Sequence, residues 1–169
     1  MDADEDYSDY VSARWPALLR SAVLLGCSLH EAEDLVQAAL VNCYVSWDKV
    51  AEAADRDAYV YRVLVNTHTS NHRRRWWRER PSHRLPENAA MQDANALVDV
   101  ADLVQRALAG LSVANRQVVV LRFFADLTEQ QTAAALGIPA GTVKSRLSRA
   151  ISQLAKDPHL ADLLGRRLT

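Results

Sequence analysis

The chain has 169 residues, of which 49% are apolar and 24% charged, with a formal net charge of −1. These proportions suit a folded globular protein of one ordinary domain or two small ones, and exclude a disordered or fibrous chain. The acidic amino terminus lacks the apolar stretch of a signal peptide and no apolar run is long enough to span a bilayer, so a cytoplasmic protein with no membrane contact of its own is expected. Cys27 and Cys43 stand in no metal-ligand spacing and read as buried thiols of a reducing compartment. The near-zero total hides an uneven distribution. Residues 1–10 hold Asp2, Asp4, Glu5, Asp6 and Asp9 and no base, whereas residues 62–84 hold seven arginines against Glu79 alone. Phosphates respond to such a local stripe rather than to the sum.

In chain order, Trp15, Leu18, Leu19, Ala22, Val23 and Leu25 suit an amphipathic helix with Pro16 in its first turn and Gly26 at its end. Ser28 and Glu31 form a capping box for a second helix over 30–47, with Leu35, Val36, Ala39, Leu40 and Cys43 inward. A third helix is expected over 57–77, with Tyr59, Val60, Val63, Leu64 and Thr67 inward, and Pro81 marking its stop. Residues 81–99 are weakly periodic and contain Pro, Asn and Asp, which predicts a flexible linker. Beyond it, Ala101, Val104, Ala107, Leu108 and Leu111 give one helix. Ser112 caps another over 114–127, carrying Val118, Val119, Leu121, Phe123 and Phe124.

The stretch from Thr128 to Leu154 has the marks of a helix-turn-helix. Thr128 and Gln131 form a second capping box. Ala133, Ala134 and Leu136 give a small apolar face, Gly137 fits a left-handed helix end, and Pro139 suits the start of the next helix. Val143, Leu147, Ile151 and Leu154 recur at helical spacing and point inward. Lys144, Ser145, Arg146, Ser148 and Arg149 fall largely on the other side, a polar basic face fit for a major groove. The bland reading is a helical hairpin with a solvated basic face.

Residues 71–80, NHRRRWWRER, join five arginines to two tryptophans. Arginine neutralises phosphate and aromatic rings stack on unpaired bases. Alternatively the arginines are a solvated helix end favoured by its dipole, and Trp76 and Trp77 pack under the linker. His68 and His72 share one helix face but lack supporting ligands, so no metal site is expected. There is no nucleophile–base pair, phosphate-cradling glycine loop or paired carboxylate, so neither catalysis nor a cofactor is expected. The architecture is thus all-α: two small helical domains, 7–84 and 100–165, joined by a flexible linker at 85–99, the C-terminal one a helix-turn-helix.

This order of features resembles the extracytoplasmic-function (ECF) sigma factors of bacterial RNA polymerase, over nearly the whole chain. Residues 32–47, AEDLVQAALVNCYVSW, look like region 2.2; residues 57–75, DAYVYRVLVNTHTSNHRRR, like regions 2.3 and 2.4. Residues 111–124, LSVANRQVVVLRFF, look like region 4.1, and residues 137–150, GIPAGTVKSRLSRA, like region 4.2. The resemblance implies a promoter-specificity subunit, not an enzyme. It implies that Asp34, Gln37, Leu40 and Trp47 bind core polymerase through the clamp helices of its largest subunit. It assigns the −10 element of promoter DNA to Tyr59, Tyr61, Arg62, Asn66, Ser70, Asn71, Arg73, Arg74, Arg75, Trp76 and Trp77. It assigns the −35 element to Thr142, Lys144, Ser145, Arg146, Ser148 and Arg149, with Arg146 and Arg149 on phosphates. An anti-sigma factor is a further implied partner. The family pattern has a bulky aromatic near Arg56 and Asp57, where this chain carries charges. The acidic start is expected to mask the arginine stripe. Two rival classes are a stand-alone helix-turn-helix repressor, which would bind a palindrome without polymerase, and an enzyme acting on nucleic acid.

Overall fold

The computed structural model describes residues 2–78, 96–158 and 160–161, and every regular element among them is helical. Helices α1 (Ala3–Leu24), α2 (Leu29–Val45), α3 (Trp47–Ala51) and α4 (Arg56–Arg78) form the first group. Helices α5 (Ala96–Ala109), α6 (Val113–Val119), α7 (Glu129–Leu136) and α8 (Ala140–Ala155) form the second, with a π-helical segment over Val120–Phe124 continuing α6. Pro81 and most of the expected linker, 85–95, lie outside the described residues. Helix α5 begins at Ala96, inside the stretch read as linker.

Local chemistry sets most boundaries as the residues demand. Ser28 accepts from the Glu31 amide and Glu31 returns the bond, opening α2; Thr128 and Gln131 do the same for α7. Each box satisfies amides that have no partner within the helix. Ser112 caps α6 by accepting from the Asn115 amide. Gly137 ends α7 at φ 64°, a conformation glycine adopts without steric cost. Pro139 precedes the first residue of α8 and occupies its cap position.

Helix α1 departs from expectation. It starts at Ala3, so Pro16 lies inside it rather than in its first turn. The acidic residues that looked like a loose start are anchored. Asp4 accepts from the Tyr44 hydroxyl at 2.8 Å, and Asp6 accepts from the Trp47 indole N–H and from Arg56, each at 3.0 Å. Acidic side chains in a first turn also complement the helix dipole. Tyr7, Tyr10 and Val11 then pack against the core, one turn at a time, ahead of Trp15. The same contacts refute the masking role of the acidic start. Asp6 is held by Trp47 and by Arg56, the first residue of α4, and 17 residues at 1.5 Å rise place the arginine run from Arg73 about 25 Å further along that helix.

The two helical groups are packed together. The cluster built on Leu18, Leu35, Val36, Val60 and Leu64 also contains Leu121, Leu127 and Ala135 of the second group. Conversely, Leu24 and Leu25 of α1 are buried with Leu108, Leu111, Val119, Val120 and Ala150. Helix α7 packs along α4, and the π segment meets α1. A third small cluster of Val118, Ala133 and Val143 holds α7 against α8 as a helix-turn-helix. Ile151, expected inward, is exposed, and so are Phe123 and Phe124. The π segment accounts for the two phenylalanines, since its wider turn rotates residues after Val120 off the α-helical stripe.

Candidate nucleic-acid and polymerase interface

Three exposed surfaces stand out, each on a different helix. On α8, Lys144, Ser145, Ser148 and Arg149 are exposed, while Thr142 and Arg146 are partly covered. Val143 on the opposite side is fully buried, which fixes the rotation of the helix and presents this row to solvent. Lys144 reaches Glu129 at 3.8 Å, an exposed pair of small worth. The Ser145 hydroxyl donates back to the Thr142 carbonyl at 3.1 Å. The row is therefore polar and basic, with the exposed Ile151 bordering it beyond Ser148.

The second surface is the C-terminal part of α4. Asn66 and every residue from Thr69 to Arg78 are exposed. Trp76 and Trp77 lie 74% and 77% open to solvent, edge to face at 5.9 Å, packed under nothing described. Arg75 pairs with Glu31 at 2.5 Å, so this arginine is partly tied to α2. The Glu31 carboxyl is held below its ordinary range, first by the Ser28 amide and further by Arg75. Tyr59 is half-buried and Arg62 exposed. Tyr61 differs from the DNA-facing role assigned to it: it is 5% exposed, in the core, with its hydroxyl 3.3 Å from Ser21. It lies one residue from Arg62, and a helix turns neighbours by about 100°.

The third surface is the outer face of α2, where Asp34 and Gln37 are exposed as expected. Leu40 and Trp47 are instead buried, at 3% and 4% exposure. Both brace the core: Trp47 packs on Tyr7 and Tyr10 and donates to Asp6. The exposed apolar residues of this face are Val41 and Val45, which sequence reasoning missed. Their signal was present, since 34, 37, 38, 41 and 45 fall on one helical stripe. The charged Arg56 and Asp57 also find structural employment. Arg56 bonds Asp6 and lies 5.8 Å over the Trp47 ring, while Asp57 accepts from Tyr10 at 2.8 Å and pairs with Arg14 at 2.6 Å.

Between the groups lies a cleft of about 600 Å³ lined by Cys27, Glu31, His68, His72, Arg75 and Arg116 among others. His68 stacks on His72 with ring centroids 6.3 Å apart, and its Nδ1 is buried without a partner. Burial, then the neighbouring His72 and Arg116, pushes the His68 pKa down to about 4. Cys27 and Cys43 are free thiols, both pushed up to about 11 by burial. The His68 shift has a definite sign. The unfolded chain takes up a proton near pH 6.5 that the folded chain refuses until about pH 4. Stability is therefore full above pH 6.5 and falls as pH drops toward 4. The expected result is a lower Tm at pH 5 than at pH 7, with part of the difference removed in His68→Gln. An equal pH dependence in that variant would clear His68 of the effect.

Comparison with known proteins gives these surfaces a common meaning. Residues 11–78 match the family Sigma-70 region 2, and residues 101–154 match Sigma-70, region 4. The chain belongs to the RNA polymerase sigma factors of the extracytoplasmic-function type. It is 40% identical over 168 residues to RNA polymerase sigma-E factor of Streptomyces avermitilis, covering 96% of this chain and 90% of that one. It is 32% identical over 139 residues to ECF RNA polymerase sigma factor SigM of Mycobacterium tuberculosis, covering 82% and 70% of the two chains. Among solved structures, the sigma factor RpoE in complex with the anti-sigma factor NepR from Bartonella quintana superposes with a TM-score of 0.70 and 26% identity, covering 89% and 94%. CnrH in complex with the cytosolic domain of CnrY shares the fold at a TM-score of 0.64 and 22% identity, covering 90% and 86%.

Proposed function

We propose that the chain is a non-enzymatic promoter-specificity subunit acting as two readers on one polypeptide, region 2 within 7–84 and region 4 within 100–165, joined through 85–99. Region 2 docks on the clamp helices of core RNA polymerase through the α2 stripe, with Asp34 and Gln37 at one end and Val41 and Val45 at the other. The exposed end of α4 takes the −10 element: Asn66, Ser70, Asn71 and Arg73 to Arg75 follow the strand, and Trp76 and Trp77 stack on unpaired bases. Stacking of this kind is worth about 1–3 kcal/mol per base. Tyr61 and the pair Leu40 and Trp47 support these surfaces from within. On α8, Lys144, Ser145 and Ser148 approach −35 bases, and Thr142, Arg146 and Arg149 hold phosphates, which position rather than specify. The observation that carries this reading is the pairing, on one chain, of an open basic α8 face with an open arginine–tryptophan helix end. Two weak readers joined in this way become specific together through effective concentration.

The cytoplasm is the site of such activity, and among the described residues no helix is long and apolar enough to cross a membrane. The likeness to a sigma factor solved with an anti-sigma factor supports a protein inhibitor as a further partner. The test is binding to purified core polymerase followed by transcription from a library randomised at −10 and −35. Binding with selective initiation is expected. No binding to core, together with tight association of the chain alone with a palindromic duplex, would make it a repressor instead.

A further inference from the structure

The basic end of α4 has two faces. Arg62, Asn66, Ser70, Arg73 and Trp77 follow one another at spacings of three or four and form an outer stripe, all exposed. The opposite stripe is Tyr61, Leu64, His68, His72 and Arg75. It is buried as far as Leu64, half-buried at His68 and exposed from His72 onward. The inward face of α4 thus outlasts the core, and where it leaves the core it turns from apolar to basic. There it forms one wall of the cleft of about 600 Å³ between the helical groups. Side chains hold the walls in place. Gln117 donates to the Thr69 hydroxyl at 3.1 Å, next to His68, and Asp55, just before α4, accepts from the Gln131 side-chain amide.

Arg116 stands in the far wall. Its guanidinium donates to the Leu108 and Ala109 carbonyls at 2.8 and 2.9 Å and to the Leu25 carbonyl at 3.1 Å, which fixes its charge in position. Gly26 makes room for it: a Cβ there would fall on the guanidinium, and φ of 110° already favours glycine. Arg74, Arg75 and Arg78 line the same cleft. Against these four guanidiniums stand two carboxylates, and both are already paired. Glu31 meets Arg75 at 2.5 Å, and Asp34 meets His30 at 3.5 Å. The cleft is left with positive charge in surplus.

Where the cleft meets the core, the His68 Nδ1 is buried with no hydrogen-bond partner. Such an atom carries a desolvation cost that an occupant relieves. Burial holds the His68 pKa down at about 4, so at pH 7 the neutral ring offers one donor and one acceptor nitrogen. Leu25, Leu35, Ala38 and Val113 supply an apolar surface in the same cleft. A volume of this size takes an organic ligand whole and far exceeds what one phosphate needs. We propose that the cleft is a binding site for a nucleotide carrying two or more phosphates, with the phosphates on His72, Arg74, Arg75 and Arg78 and the base against the apolar surface and the His68 ring. Guanidinium forks match phosphate oxygens, and Arg116 adds a fixed charge behind them. The outer stripe stays open to DNA. Arg74 and Arg75 also belong to the −10 surface proposed above, so an occupant competes with the strand for them. Binding itself needs neither polymerase nor promoter, and is tested apart from that reading.

The test titrates the full chain with ATP, ADP, adenosine and tripolyphosphate by calorimetry, in EDTA and at about 0.15 M salt, where exposed charges are screened. ATP and ADP should each bind once per chain, with adenosine and tripolyphosphate at least about tenfold weaker, since each lacks one part of the contacts. Absence of saturable binding by ATP and ADP overturns the site, and tripolyphosphate binding as tightly as ATP overturns the nucleotide assignment. His72→Ala and Arg78→Ala change exposed side chains, so helicity should be kept. Each should weaken ATP binding by about fivefold or more. Arg73→Ala, on the outer stripe, should bind ATP as wild type does. An equal loss there would make the binding a general property of the helix end and overturn the cleft as its seat. In a chain isotopically labelled at histidine nitrogen, ATP should also shift the His68 ring signals, which His68→Gln identifies by their loss. Binding that leaves those signals in place likewise overturns the cleft assignment.

Discussion

Replacing Lys144 and Arg149 together by alanine should lower initiation from −35-dependent promoters by at least about thirtyfold while leaving core-polymerase binding at the wild-type level. Each contact of this kind is worth about 1–3 kcal/mol, so two sum to roughly 2 kcal/mol or more, and 1.4 kcal/mol is tenfold. The fold should not suffer. Lys144 is an exposed side chain whose partner Glu129 stands 3.8 Å away, and Arg149 is exposed on the same helix. Alanine is a strong helix former, so α8 should be at least as stable in isolation. A second readout separates phosphate contact from base contact. For holoenzyme binding to promoter duplex, the slope of log affinity against log salt should fall by about 1, for the one phosphate neutraliser lost with Arg149. A loss of core binding, or a salt slope equal to wild type, would place the −35 reader elsewhere.

The helix-turn-helix was legible because its determinants are local. Capping, a left-handed glycine and an inward stripe all act within a few residues, and Thr128, Gln131 and Gly137 adopt the conformations their chemistry favours. Val143 likewise buries as its spacing demands. The misreadings come from partners distant in sequence. The start of α1 was obscure because Asp4, Asp6 and Tyr7 are secured by Tyr44, Trp47 and the Leu40 carbonyl, 40, 41 and 33 residues away. Pro16 was placed at a helix start by a sound local rule, which tertiary packing of the preceding turns overrides. Leu40, Trp47 and Tyr61 were assigned to surfaces by resemblance, but a resemblance carries position along the chain and not the rotation of a side chain about its helix. Here all three point into the core.

The contact between the two helical groups was not legible at all. Gln117, Thr69, Asp55 and Gln131 are ordinary exposed-helix residues by composition, and only their juxtaposition joins them. By sequence, Arg116 would pass for one more solvent-facing cation. Its burial and its three carbonyl acceptors show a structural cation instead, with its pKa lowered by loss of water yet its charge fully employed. Positive charge in this chain thus divides by environment. Arg56 and Arg116 are consumed within the fold, whereas Arg73, Arg74, Lys144 and Arg149 project into solvent. Counting bases along the sequence could not make that division.

Reversing charge at one exposed position of α2 should have the opposite effect to the α8 pair. Asp34→Arg is expected to weaken core-polymerase binding by thirtyfold or more, with helicity and Tm close to wild type. The Asp34 side chain is 66% exposed and pairs at 3.5 Å with His30, which is 85% exposed. Such pairs contribute little to stability, so the fold loses little with them. A docking surface is more sensitive, because truncating or reversing one member of a desolvated charge pair costs about 2–5 kcal/mol. The neighbouring valines test whether the whole stripe takes part. Val41 is 59% exposed, so Val41→Asp removes no core packing. It should weaken binding in the same assay, by burying a carboxylate where apolar contact is expected. If both variants bind core polymerase as wild type does, the docking face is not on α2. If Asp34→Arg alone loses binding, the contact is electrostatic and confined to the first half of the helix. In that case the exposed Val41 and Val45 belong to a different partner.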